Sequence, residues 1–230
     1  MRHLIAKDVG LAAPYLWLII PVHVLWCAQA FLVPELYFWM SLMPAIVWTV
    51  GVLAAEWQMD TDRFAASLPV TRATIVRARY ASALGGLALG ATLFVVYGHA
   101  IAAVASGRAA RYYPSPSWAS VDGVTAFVLV GFVLLVAFLP FYFRFGLPYG
   151  ASCFAVSATV ILLVAAALAR FGDSGWAAGG SPSTIVRGWL VALAAAWGVL
   201  VATPALLAGA IGLGSVSMWL SVRFYEEREL

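Results

Sequence analysis

The sequence predicts an all-α, polytopic membrane protein with six transmembrane helices in one domain spanning residues 1–230. Three observations carry that expectation. Of 230 residues, 64% are hydrophobic and only 10% are charged, and the mean hydropathy is +0.96. A soluble domain carries about 25% charged residues and covers its surface with polar groups that this chain lacks. The charges are confined to short islands between long apolar runs. Six of those runs reach the roughly 20 residues that a helix rising about 1.5 Å per residue needs to cross a hydrocarbon layer about 30 Å thick.

The first run, Val9 to Pro34, follows the basic start MRHLIAKD. It is too long for the apolar core of a signal peptide and is closed by no small-residue cleavage site, so it reads as an uncleaved span over about 11–33. A two-residue turn, Pro34-Glu35, leads to the second span, 36–55. The third apolar run, Tyr80 to Gly107, places a span at 80–105, but its helix begins earlier. Pro69 stops a short interfacial helix, Thr71 can cap the next one, and the helix extends from Arg72 to about Ser106. Its first turns then protrude, with Arg72, Arg77 and Arg79 at headgroup level.

The runs Gly123 to Phe143 and Phe145 to Ala169 give spans at 123–143 and 147–169. The last, Gly188 to Val222, reads as one long helix with its span at 190–214, continuing into a cytoplasmic tail at 221–230. Two short helices hinged at the glycines of GAIGLG are the alternative, but Gly188 to Val201 is too short to cross and Pro204 only kinks a helix. The connection Arg170 to Arg187 is either a plain loop or a segment dipping into the bilayer edge.

An even number of spans puts both termini on one side, and positive charge decides which. With the termini inside, Arg2, Lys7, Arg63, Arg72, Arg77, Arg79, Arg144, Arg223 and Arg228 are cytoplasmic, and Arg108, Arg111, Arg170 and Arg187 are not. That distribution favours cytoplasmic termini.

Several functions are disfavoured. The net charge of +3 forms no basic face for nucleic acid. Cys27 and Cys153 lie in apolar stretches and read as buried free thiols. Within the spans, ionisable groups are limited to His23 and His99, with Glu56 at the inner end of the second. Such histidines more often hydrogen-bond a neighbouring helix than move protons, and with two distant cysteines they show no metal-ligand spacing. GLGSVS, Gly212 to Ser217, lacks the pattern of a serine nucleophile and fits close helix packing, as does the GxxxG spacing of Gly86 and Gly90. The one lysine, Lys7, follows no glycine-rich phosphate loop, so any ATP hydrolysis must come from another chain.

The connection EWQMDTDRFAASLPVTRATIVRAR, residues 56–79, is the most informative segment. Glu56, Asp60, Asp62 and Arg63 form a charged stretch expected in water, and Phe64, Leu68 and Val70 supply apolar anchors before the Pro69 break. Lipid anchoring explains its arginines but not the acidic amphipathic elbow in front of them.

That run, with SLPVTR at Ser67 to Arg72 and Ile75-Val76 and Arg79-Tyr80 beyond it, resembles the segment after the second span in type-2 permeases of ATP-binding-cassette (ABC) exporters. LPFYFRFG, Leu139 to Gly146, is similar to that family's junction between the fourth and fifth helices, and SVRFYEEREL, Ser221 to Leu230, to its charged tail. The resemblance implies a type-2 ABC permease-like bundle that is not itself an enzyme. It would pair with a second permease subunit, identical or a sister chain, and with two ATPase subunits. No cofactor is then expected in this chain, since ATP and Mg belong to the partner. The cytoplasmic coupling segment, 56–79, would meet the ATPase through Asp60, Asp62, Arg63 and Arg72, with Phe64 and Leu68 as anchors and Pro69 at the turn; Arg144 would make a second contact. A nearly uncharged bundle favours an amphipathic or hydrophobic cargo such as a peptide, lipid or drug. The competing readings are a transporter driven by an ion gradient, which needs midplane charges this chain lacks, and a non-transporting anchor or regulatory subunit.

Overall fold

In a computed structural model of the chain, the residues described are 6–11, 13, 21, 24–25, 36–58, 70–105, 121–171 and 199–227. Among them there is no strand. A helical turn at 6–11 precedes four long helices: α1 (Leu36–Gln58), α2 (Arg72–Ala105), α3 (Val121–Phe171) and α4 (Val199–Glu227). Three stretches among the described residues, Arg72–Ala100, Gly123–Cys153 and Leu206–Glu227, are long and apolar enough to cross a membrane. Most of the expected first span, the start of the sixth and the connections 106–120 and 172–187 lie outside the described residues.

The pattern of burial suits a bilayer. Leu84, Val96, Val128, Val133, Leu207 and Ile211 are exposed, whereas Asp8, Ser41, Thr49, Glu56, Arg79, Ser217 and Ser221 are buried. Lipid solvates the apolar side chains, and the polar ones turn inward, where Thr49, Glu56, Arg79 and Ser217 meet hydrogen-bond partners. The chain forms two compact units, 1–133 with Leu230 and 134–229.

In the first unit α1 and α2 pack antiparallel. The buried face of α1 carries Leu42, Ala45, Thr49, Val52 and Glu56, at alternating spacings of three and four. Its partner on α2 carries Val76, Arg79, Ala83 and Leu87, with Gly86 and Gly90 on the same side. A Cβ on Gly86 would lie 2.6 Å from Trp48 Cδ1, and one on Gly90 would lie 3.2 Å from Ala45 Cβ. Small residues at this spacing let the two helices approach closely; the helix that uses the GxxxG face is α1 of the same chain. Pro44 sits inside α1, and one turn on, the Thr49 hydroxyl donates to the Ala45 carbonyl at 2.9 Å. The start of α3 joins them through Phe127, stacked on Phe94 with ring centroids 4.9 Å apart.

In the second unit α3 continues through Pro140. Proline has no N–H, so the carbonyl of Val136 loses its partner one turn earlier. Ser217 on α4 replaces it: the buried hydroxyl donates to Val136 O at 2.5 Å. The second serine of GLGSVS, Ser217, therefore makes a helix-to-helix bond. Ser217→Ala should lower stability by about 1 kcal/mol, the scale of interhelical hydrogen bonds in membranes, read as a fall in melting temperature in detergent. Farther along, Phe143 and Tyr225 meet edge to face at 5.4 Å. Both pairings advance together along the chain, so this arm of α3 and α4 run parallel.

The helical run of α3 breaks at Gly146, with φ 74° and ψ 178°. This conformation is essentially restricted to glycine. A Cβ on Gly150 would lie 2.8 Å from the Phe141 carbonyl oxygen, yet nine residues of straight helix would separate the two by about 13 Å. The chain therefore folds back at Gly146, beside the Arg144 junction expected between two spans. By contrast α4 is continuous from Val199 to Glu227 through Pro204 and through the glycines of GAIGLG, as one long helix.

Candidate functional site

The seam between α1 and α2 ends in charge. Glu56, one turn beyond Val52 on the same face, meets Arg79 of α2, and the pair continues the register of Trp48 with Gly86 and Ala45 with Gly90. Arg79 uses both ends of its guanidinium: Nη2 donates to Glu56 Oε1, and Nη1 donates to Asp8 Oδ1 on the helical turn 6–11. Lys7 Nζ also reaches Glu56 Oε1, at 2.5 Å. Both carboxylate side chains are fully buried and that of Arg79 is 4% exposed, whereas that of Lys7 is 32% exposed. Two cations and two anions leave the cluster neutral. An arginine fork between carboxylates of two chain segments is the geometry that makes such burial tolerable.

One expectation is corrected here. Glu56 is not in water but buried, and Arg79 is buried beside it; each is tolerated there because the other, with Asp8, compensates its charge. Arg77, two residues before Arg79, is exposed. The signal that could have placed Glu56 and Arg79 is periodic: both continue the buried face of an otherwise apolar helix. Asp8 had no comparable signal, because its partner is 71 residues away.

The cluster brackets the connection 59–69, holding the end of α1 to the second turn of α2. Asp60, Asp62, Arg63, Phe64, Leu68 and Pro69 lie outside the described residues. Beyond them Thr71 caps α2: its carbonyl accepts from Thr74 N at 2.9 Å, its hydroxyl accepts from the same N–H at 3.3 Å, and the two threonine hydroxyls are 2.8 Å apart. Arg72, the first residue of α2, is half-buried.

Arg144 belongs to the second unit. It lies just before the Gly146 break, donates to Glu227 Oε2 at 2.5 Å and stands 5.3 Å over the Phe224 ring, so it ties the end of α4 to the junction. The side chains of Arg144 and Glu227 are 43% and 56% exposed. An apolar groove of about 540 Å³ runs between the same helices, walled by Val136, Pro140, Phe141, Leu213, Val216 and Leu220. His99 donates from Nδ1 to the Val95 carbonyl of its own helix at 2.9 Å. Cys153 is a free thiol, half-buried rather than buried; His23 and Cys27 lie outside the described residues.

Apolar helices long enough to cross a bilayer, with polar groups turned inward, define a multi-pass membrane protein. The model of the ABC-2 family transporter proteins matches residues 3–226, nearly the whole chain. The chain belongs to this family, whose members are membrane subunits of ABC transporters. No curated protein and no solved structure matched it.

Proposed function

We propose that this chain is the permease of an ABC exporter, moving an amphipathic or hydrophobic cargo by means of ATP hydrolysed on two partner subunits, with a second permease subunit completing the pathway. Its termini face the cytoplasm. The observation that carries the reading is the ion cluster at the connection 59–69. Because Glu56 and Arg79 tie α1 to α2 at the base of that connection, a partner that moves it displaces both helices, which is what coupling to a closing ATPase dimer requires. Asp60, Asp62, Arg63 and Arg72 make the charged contacts with the ATPase, Phe64 and Leu68 anchor the elbow apolarly, and Pro69 sets its turn. Arg144, with its exposed partner Glu227, is the second contact. The groove between α3 and α4, apolar apart from Arg144 and Ser217, supports an apolar cargo over a small ion.

The test is a pull-down of the tagged chain in mild detergent from native membranes. A stoichiometric ATP-hydrolysing subunit is expected, and Asp62→Arg or Leu68→Asp should reduce its recovery at least several-fold while membrane insertion stays intact. A lone oligomer indifferent to ATP would transfer the weight to the gradient-driven or anchoring alternatives. Unchanged recovery and unchanged ATPase activity in both variants would remove the elbow from the mechanism.

A further inference from the structure

We infer that the cluster around Arg79 is a permanent joint. It makes the helical turn 6–11 and the adjoining ends of α1 and α2 one body, so that a displacement of the connection 59–69 reaches all three together. The permease reading supplies the origin of that displacement; the joint itself stands on the geometry alone.

Three observations carry it. The carboxylates of Asp8 and Glu56 and the guanidinium of Arg79 are buried, so opening any pair strands an ion away from water, and the closed state is strongly preferred. The arginine fork then fixes direction as well as distance. One guanidinium holds two carboxylates from two different chain segments, and Glu56 Oε1 accepts from both Arg79 and Lys7. Finally, the cluster is in register with the close helix contacts at Gly86 and Gly90, so sliding α1 along α2 would break the ion pairs and the packing at once. Asp8 is the link that adds the amino-terminal turn to this pair. Its carboxylate can be neutralised without loss of shape, because asparagine keeps an acceptor at Oδ1 for Arg79.

The test places pairs of spin labels at three exposed sites, one on or next to each joined segment, Val9→Cys, Trp57→Cys and Val70→Cys, after Cys27 and Cys153 are changed to serine. The full chain is measured in lipid nanodiscs, with its copurified ATPase, in the absence of nucleotide and after trapping with ATP and vanadate. In the otherwise unaltered chain all three distance distributions should be unchanged by trapping. In Asp8→Asn the two distributions involving residue 9 should broaden and become sensitive to nucleotide, while the 57–70 distance stays fixed. Arg79→Lys, which keeps the charge and loses the fork, should release the turn to a smaller extent.

A shift of the 9–57 or 9–70 distance on trapping in the unaltered chain would overturn the joint and make the cluster a gate that opens in each cycle. So would distributions in Asp8→Asn that match the unaltered chain in both states. If no ATPase copurifies, the permease reading fails, but the nucleotide-free comparison still decides the joint: no broadening in Asp8→Asn overturns it.

Discussion

Arg79→Met is expected to destabilise the protein by about 3–5 kcal/mol, the scale for removing one partner from a buried ion cluster. The methionine fills much of the space, but Asp8 and Glu56, both fully buried, lose the guanidinium they share. The measurements are the yield of monodisperse protein in detergent and its melting temperature, and both should fall sharply. Neutralising the three buried members, with Arg79→Met, Asp8→Asn and Glu56→Gln together, should recover much of the loss, since the penalty comes from stranded charge and not from the missing arginine itself. Lys7→Met should change stability by less than about 1 kcal/mol, because its half-exposed ammonium is solvated with or without Glu56.

Gly146→Ala should cost about 1–3 kcal/mol, the strain of holding a side chain at a backbone conformation that only glycine occupies easily. At φ 74° and ψ 178° a Cβ is strained whatever the space around it. Gly150→Ala should add a second, distinct penalty, because its Cβ would meet the Phe141 carbonyl at 2.8 Å, and a backbone atom cannot turn aside as a side-chain tip can. Each variant should lower the melting temperature in detergent. Amide hydrogen exchange across 144–150 should accelerate, since relief of either clash requires the fold-back to open. Equal exchange in the variants and the parent would mean that the reversal is held elsewhere.

What the sequence disclosed follows the range of the interactions involved. The helix from Arg72, its Thr71 cap and the break near Arg144 depend on residues within a turn or two of each other, so local rules reach them. The close face at Gly86 and Gly90 was legible as a spacing, but not its occupant, because nothing local says which helix fills it. The ion cluster needed three segments in contact. Charge patterning alone sent Glu56 to water and gave Arg79 no partner, since each looked uncompensated within its own stretch. The periodicity of the apolar faces held the correction: Leu42, Ala45, Thr49 and Val52 lead to Glu56, and Arg79 leads to Ala83, Gly86 and Gly90. The close packing expected of GLGSVS is met at Ser217, which bonds another helix, but not at Gly212, where an added Cβ would meet nothing within 4 Å; the partner of Ser217 follows only from noticing that Pro140 leaves a carbonyl free on another helix. The elbow residues between 59 and 69 rest on the family pattern and the proposed docking.

The neutrality of the Arg79 cluster bears on how the chain enters the membrane. Orientation during insertion responds to Lys and Arg near span ends, while Asp and Glu contribute little. With the termini on the cytoplasmic side, as proposed, Lys7 and Arg79 would act as retention signals on the nascent chain even though Asp8 and Glu56 are already present. Once α1 and α2 have met, Arg79 faces inward onto carboxylates and no longer offers its charge to anionic lipid, while Lys7 stays partly exposed. A single set of side chains would direct biogenesis first and lock tertiary structure afterwards, so a substitution such as Arg79→Met would be felt twice, in the fraction of chains inserted correctly and again in the survival of those that are.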